Sequence, residues 1–310
     1  MKALSLVLLA GAAGAAPMAA QDFELNRQLA PGSRFALRNI IGDIRVEASA
    51  GRRLEVTAVK REGRQGDPRD VEIEARDLPG GGVAVCVWYP GQSNDSRRGR
   101  ERDRDDRDDR AEREDRDDRD DRSRRRADDP CRREGNWGGN SRNDTRVEFT
   151  VRVPAGLDLD IHSVVGDVFG RGLRGRSLDL GTVSGELELT DAQGETLDAR
   201  SVSGDVRLDQ VAVREMSAQT VSGDVTFAGP IDGRGEYNFE TLSGDVTLTV
   251  PREPDAKVTA STFSGRFDSD FPVNRDSRRR RNRFSGSWGN GSAVIDLQSF
   301  SGDIRVRSSR

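Results

Sequence analysis

Val183-Ser184-Gly185-Glu186-Leu187, Val202-Ser203-Gly204-Asp205-Val206, Val221-Ser222-Gly223-Asp224-Val225 and Leu242-Ser243-Gly244-Asp245-Val246 are four versions of one five-residue phrase. Val165-Gly166-Asp167-Val168 precedes them in degraded form, and Phe263-Ser264-Gly265, Phe284-Ser285-Gly286 and Phe300-Ser301-Gly302-Asp303-Ile304 follow. The glycines 166, 185, 204, 223, 244, 265, 286 and 302 are spaced by 19, 19, 19, 21, 21, 21 and 16 residues. Regular self-similarity on this scale is the mark of a repeat architecture.

Each unit carries an alternating run on either side of its Ser-Gly, as in Leu197, Ala199, Ser201 and then Val206, Leu208. Equivalent positions hold Met216, Ala218, Thr220; Tyr237, Phe239, Thr241; Val258, Ala260, Thr262; and Ile295, Leu297, Ser299. A period of two is a strand signal. One unit cannot bury its stripe alone, whereas units stacked at the ~4.8 Å strand spacing bury it against their neighbours. The expected fold is all-β, a repeat β-solenoid with rungs of 19–21 residues and an N-terminal β region. A β-sandwich built from the same hairpins is the alternative.

Turn chemistry explains the Ser-Gly-Asp residues without any function. Glycine supplies positive φ where the chain corners, and flanking Ser and Asp accept hydrogen bonds from backbone N–H groups. Stacking, however, sets Asp167, Glu186, Asp205, Asp224 and Asp245 in one column, each like-charge pair costing ~1 kcal/mol even in water. Something must offset that repulsion. Arg200 and Arg207 lie near in sequence, and a bridging divalent cation is the competing account, although the calcium-binding GGxGxD nonapeptide is absent.

These recurrent cores, the lead-in Val153-Pro154-Ala155-Gly156-Leu157 and the closing Phe300-Ser301-Gly302-Asp303-Ile304-Arg305-Val306 resemble the bacterial "putative adhesin" family of exported β-strand-repeat proteins. The resemblance covers about residues 147 to 310 and, more loosely, Ile41-Gly42-Asp43-Ile44-Arg45-Val46. It implies surface adhesion and supplies no catalytic residues. The chain departs from the pattern at Arg266 and Ser287, where the repeat acid is missing.

Upstream, Asp43 to Val46, Leu54 to Val59, Val71 to Ala75 and Val83 to Tyr89 read as strands. The alternation Val83, Val85, Val87 is expected to pair with Val147, Phe149, Val151, Val153. Residues 90 to 143 then form an oversized hairpin loop, with an Arg/Asp-rich insertion at about 94–143 whose middle is expected to be disordered. Between Asp95 and Glu134 there are 17 acids and 16 arginines in 40 residues, with no apolar stripe and a poor helix former throughout. Cys86 and Cys131 stand near its two ends, and an exported protein with two cysteines is expected to pair them.

Without that block, 71 charged residues remain in 270, an ordinary globular share. Lys+Arg 50 against Asp+Glu 54 leaves a formal charge of −4, which excludes a uniformly basic nucleic-acid binder. One histidine and two cysteines exclude zinc-type His/Cys clusters. No P-loop, HExxH helix or GxSxG elbow is present. No cofactor and no catalytic residue is expected.

Met1 to Ala20 reads as a secretory signal peptide, cleaved after Ala20 or alternatively Ala16. The apolar run is shorter than the ~20 residues a spanning helix needs. The organisation read from the sequence is therefore a signal peptide at 1–20, a β region at 21–160 with the insertion, and the repeat domain at 161–310. The mature chain is expected in a periplasm, on a cell surface or secreted, with no transmembrane segment.

Three functions fit: a non-enzymatic envelope or surface scaffold for a glycan or other surface polymer, a carbohydrate-active β-helix lyase or glycosidase, and a structural or signalling accessory. The enzyme needs a carboxylate pair that interrupts the repeat, and the visible acids belong to it. The cluster Arg275, Arg278, Arg279, Arg280, Arg281 and Arg283, flanked by Phe271, Phe284 and Trp288, is the concentrated basic feature of this half. It suits an anionic polymer; a solvated loop between rungs is the plainer reading.

Overall fold

The computed structural model describes residues 22–89, 130–131, 143–250, 254–276 and 282–309. The signal-peptide stretch, most of the Arg/Asp block and Arg278 to Arg281 lie outside the described residues. The N-terminal part contributes β1 (Phe23–Gln28), β2 (Arg34–Arg38), β3 (Ile44–Ser49), β4 (Arg53–Arg61), β5 (Glu72–Leu78), β6 (Gly82–Trp88) and β7 (Arg146–Pro154). Paired strands then alternate around each corner: β8 (Asp158–Val165) and β9 (Val168–Arg171), β10 (Ser177–Ser184) and β11 (Leu187–Gln193), β12 (Thr196–Arg200) and β13 (Val206–Ala212). The series continues with β14 (Glu215–Ser222) and β15 (Val225–Ala228), β16 (Glu236–Ser243) and β17 (Val246–Val250), β18 (Ala256–Ser264) and β19 (Phe267–Ser269). It ends with β20 (Asn274–Asp276), β21 (Asn282–Trp288), β22 (Ala293–Ser301) and β23 (Ile304–Ser308).

The chain is an all-β solenoid of two long sheets. Sheet A has 11 strands in the order β1-β4-β7-β3-β9-β11-β13-β15-β17-β23-β19, and sheet B has 12 in the order β20-β21-β18-β22-β16-β14-β12-β10-β8-β2-β6-β5. The rungs stack in parallel and in register; among the described residues, antiparallel pairs occur only toward the ends, at β1/β4, β4/β7, β5/β6, β18/β21 and β20/β21. Inward residues of the two sheets meet in one core, where Ile161, Leu180, Phe239 and Leu297 from sheet B are as buried as Leu189, Leu208, Phe227 and Val306 from sheet A. Phe227 and Phe239 cross it with ring centroids 5.5 Å apart.

The repeat glycines form a column, but their order along the rod is 42, 166, 185, 204, 223, 244, 302, 265. A Cβ built on Gly204 would lie 2.0 Å from the carbonyl oxygen of Gly185, and one on Gly223 would lie 2.3 Å from that of Gly204. Only a residue without Cβ allows the rungs to approach here. Gly204 and Gly223 do have positive φ, 143° and 152°, in an extended corner rather than in the left-handed helical region. Gly265 and Gly302 share the close contact without positive φ.

Two side chains complete the corner. The hydroxyl three residues before each glycine points inward and donates to the preceding rung's glycine carbonyl: Thr182 to Gly166, Ser201 to Gly185, Thr220 to Gly204, Thr241 to Gly223 and Ser299 to Gly244. The acid after the glycine accepts from the next rung's backbone: Glu186 N–H donates to Asp167 Oδ1, Asp224 N–H to Asp205, Asp245 N–H to Asp224 and Asp303 N–H to Asp245, at 2.7–2.8 Å.

Two expectations are corrected, and the order of stacking is added to them. Gly286 is no corner glycine: it lies within β21, which runs antiparallel to β18 as a cap, beside Pro272 and Trp288. The rungs do not stack in chain order, because β22 and β23 insert between the two units before them. The strand Val83 to Tyr89 does not pair with Arg146 to Val153. β6 pairs with β2 and β5 in sheet B, and β7 with β3 and β4 in sheet A. Their matching alternations place both on the core from opposite sheets, a relation that periodicity alone does not separate from hydrogen-bonded pairing.

The corner contacts give a graded test. Gly223→Ala forces a methyl against Gly204's carbonyl and is expected to destabilise by at least ~2 kcal/mol. Thr220→Val removes the hydroxyl that Gly204's carbonyl accepts from and should cost about 1–2 kcal/mol. Gly233→Ala, where a Cβ meets nothing within 4 Å, should be near neutral. Urea unfolding of the three variants checks the order.

Candidate functional site

Because the rungs are in register, each outward position of sheet B repeats as a column along the rod. One column reads Asp160, Asp179, Asp198, Ser217, Asn238, Asp296, Thr259 through β8, β10, β12, β14, β16, β22 and β18. Its neighbour reads Arg38, His162, Gly181, Arg200, Gln219, Glu240, Gln298, Ser261.

The first rungs carry a dense charged network. Asp160 is buried, and Arg38 holds its carboxylate through Nη1–Oδ1 at 2.7 Å and Nη2–Oδ2 at 2.9 Å. Arg34 donates to Oδ2 from Nε at 3.1 Å and also from Nη2. His162 Nε2 stands 3.1 Å from Asp160 Oδ1 and 3.3 Å from Asp179 Oδ1. Its ring is accommodated by Gly181 in the next rung, where a Cβ would meet Nδ1 at 2.5 Å. Arg200 then pairs with Asp198.

Burial alone would raise the Asp160 carboxyl, but the hydrogen bonds from His162 and Arg38, the Arg38 charge and the Arg34 bond hold it far below the usual carboxylate range. For His162, burial opposes the charged form, and the bonds to Asp160 and Asp179 overcome it, so the imidazole titrates above its ordinary value. Asp160, His162 and Asp179 can bring one ligand atom each within 4.8 Å of one another. A cation there would have to compete with two guanidinium groups for Asp160, so the arrangement suits a proton on His162 better than a metal ion.

Beyond this network the column opens into a groove of about 490 Å³, lined by Ser177, Asp179, Thr196, Asp198, Glu215, Ser217, Glu236 and Asn238, with Leu178, Leu197 and Met216 between them buried in the core. Asn238 Oδ1 is buried in it with no hydrogen-bond partner among the described residues. The groove is acidic and rich in hydroxyls.

Cys86 and Cys131 form a disulfide, as expected from the sequence. It lies on the outer side of sheet B, where Ala36, Ala84, Cys86 and Cys131 make a small second core with Leu78 and Trp88. Cys86 is the register neighbour of Arg38, so the bridge closes one end of the charged network. The arginine cluster is a separate place. Arg275 lies on β20 and Arg283, exposed, on β21, at the far end of sheet B. In the acid column, Arg207 pairs with both Asp205 and Glu186, and Arg305 with Asp245 and Asp303. Arg200, the other candidate partner, instead serves Asp198.

Sequence reasoning missed the outward column and the role of His162. The signal was present: Leu159-Asp160-Ile161, Leu178-Asp179-Leu180 and Leu197-Asp198-Ala199 place an acid between two core residues at one offset of the repeat.

Residues 142–307 match the Toastrack DUF4097 family, and the chain belongs to it. That stretch contains the repeats on which the adhesin-like resemblance rests. Two solved structures are similar. One is a "putative cell adhesion protein" from Clostridium sporogenes, at 12% identity and a TM-score of 0.35, covering 93% of this chain and 99% of that one. The other is a "putative adhesin" from Bacteroides fragilis, at 8% identity and a TM-score of 0.37, covering 93% and 96%. No curated protein matches. No helix among the described residues is long and apolar enough to cross a membrane.

The His162 network makes stability pH-dependent with a defined sign. A raised folded-state pKa means that the histidine's contribution is complete below its unfolded value near pH 6.5 and is lost as pH rises through the folded value. Asp160, with its pKa lowered, contributes fully above about pH 3.9 and loses that contribution as pH falls toward its folded value. Melting temperature against pH should therefore decline on the alkaline side of about 6.5, and His162→Gln should flatten that decline while leaving the acid limb in place.

Proposed function

We propose that this chain is an exported, non-catalytic binding scaffold of the bacterial envelope or surface, and that it holds a hydroxyl-rich polymer along the groove of sheet B. The observation that carries this reading is the in-register column Asp179, Asp198, Ser217, Asn238, which offers polar atoms once per rung along the groove. A repeating ligand can meet a repeating surface, and a few placed polar groups in a cleft fix a ligand's orientation. Asp179, Asp198, Glu215 and Glu236 make a neutral or amine-bearing glycan the matching chemistry rather than an anionic one. Export is supported by the signal-peptide pattern together with the Cys86–Cys131 bridge, since disulfides persist in oxidising compartments.

The arginine cluster Arg275 to Arg283 carries a separate proposal, weak binding of an anionic envelope polymer, and salt distinguishes the two surfaces. Exposed charge contacts are screened within ~8 Å at physiological ionic strength, so binding there should fall steeply with salt, while binding of a neutral glycan in the groove should change little.

Purified protein titrated with a panel of neutral, amino and acidic glycans is expected to bind the first two classes without releasing any cleavage product. Ser217→Lys combined with Asn238→Lys should weaken that binding at least tenfold and leave the melting temperature within a few degrees. Undiminished binding by this variant would move the site off the groove, and product formation would make the protein an enzyme.

A further inference from the structure

The placement of the last two strands has a consequence for assembly. β17 and β18 are consecutive in the chain, yet β23 lies between β17 and β19 in sheet A, and β22 lies between β16 and β18 in sheet B. The inserted rung uses the same bonds as every other. Gly244 N–H donates to Ser301 O at 3.1 Å, Val246 N–H to Asp303 O at 2.9 Å, and Ile304 N–H to Arg266 O at 2.9 Å. Ser299 donates to Gly244's carbonyl, Thr262 to Gly302's, and Asp303 links Asp245 below it to Arg266 above. Ile295, Leu297, Ile304 and Val306 are fully buried.

What differs is connectivity. This rung is joined to the rest of the described chain only through Gly289-Asn290-Gly291-Ser292, after β21, and Gly289 and Gly291 hold positive φ of 52° and 65° there. No described strand follows β23, so opening this rung breaks the covalent succession of no other described rung. Its departure would expose strand edges on both sides of the gap, with the glycine carbonyls and acid ladder of Gly244 and Asp245 unmatched. Bare edges of this kind are templates for another strand, and the sequence that fits them in register is β22–β23 itself.

We propose that the slot between β16/β17 and β18/β19 is a strand-acceptor site whose second occupant is β22–β23 of another copy, giving a reciprocally exchanged dimer. Exchange of an identical element between protomers through an opened hinge keeps every native contact. The isolated chain fills its own slot, and exchange requires that rung to open.

Glu240 and Gln298 are exposed register partners across the slot, which provides a direct test on the full chain. Glu240→Cys and Gln298→Cys chains, made separately with the native disulfide intact, are unfolded together in urea at mildly acidic pH, where thiolate is scarce. They are then refolded and treated with a short bismaleimide. A covalent heterodimer is expected after joint refolding, and none when already folded chains are mixed. A single chain carrying both substitutions should cross-link internally. Gln219→Cys with Glu240→Cys, partners in two consecutive rungs, should give no heterodimer. The proposal is overturned if joint refolding yields no heterodimer while the doubly substituted chain cross-links, if the Gln219/Glu240 control dimerises equally, or if the doubly substituted chain fails to cross-link.

Discussion

At each corner of the rod, a glycine carbonyl oxygen occupies the space where the next rung's residue would carry its Cβ, about 2 Å away at Gly185, Gly204, Gly223 and Gly244. That close approach brings the inward hydroxyl within reach of the same oxygen and the following acid within reach of the next N–H. Three contacts therefore lock one rung to another at a single point, and the register they impose runs outward along both strands. A slip by one residue would turn every core side chain to solvent. Each neutral hydrogen bond contributes on the order of 1 kcal/mol, and those to a carboxylate contribute more, so repetition rather than any single bond holds the register.

Repulsion within the acid column is offset along most of its length, but at Asp167 burial and the neighbouring Asp43 charge still raise the carboxyl above its usual range. Asp205, Asp224 and Asp245 each accept a backbone N–H from the next rung, and Arg207 and Arg305 each bridge two acids of the column. Arg266 shows the same logic from the other side. It closes the sheet A ladder, where no further described rung needs a carboxylate, and there the repeat acid is replaced by a guanidinium that pairs with Asp303. Its departure from the repeat is a consequence of being last.

The solenoid was legible in the sequence because glycine spacing and two-residue alternation are local signals, and the inward positions Leu197, Met216, Tyr237 and Ile295 are buried as the alternation implies. The insertion of β22–β23 was not legible. All rungs carry the same pattern, so nothing in Gly244, Gly265 or Gly302 says which two are neighbours, and the spacing of 21 between the first two mimics direct succession. Gly286 was drawn into the series by its Phe-Ser-Gly context, although it lies in a capping strand. The outward column needed one more step than the alternation gives: aligning the units by their glycines and then reading the polar residues between the core positions, which brings Asp160, Asp179 and Asp198 together. His162 emerges only when Gly181 is set beneath it.

The same alternation accounts for the exposed ridge of Val164, Val183, Val202, Val221, Leu242, Phe300 and Phe263, each roughly half exposed. The hydroxyl three residues before the glycine must point inward to reach the carbonyl, so the residue after it must point out. At an outward position a polar residue would serve solvation, but this one sits in a parallel, in-register column where like side chains lie one rung apart and cover each other's flanks. Phe263 and Phe300 do so as parallel rings with centroids 4.8 Å apart, the strand spacing itself. β-branched and aromatic residues also suit a pleated, half-buried surface. The ridge is thus apolar because the rungs pack on one another there, and the column of glycine contacts that sets the core also sets the outside.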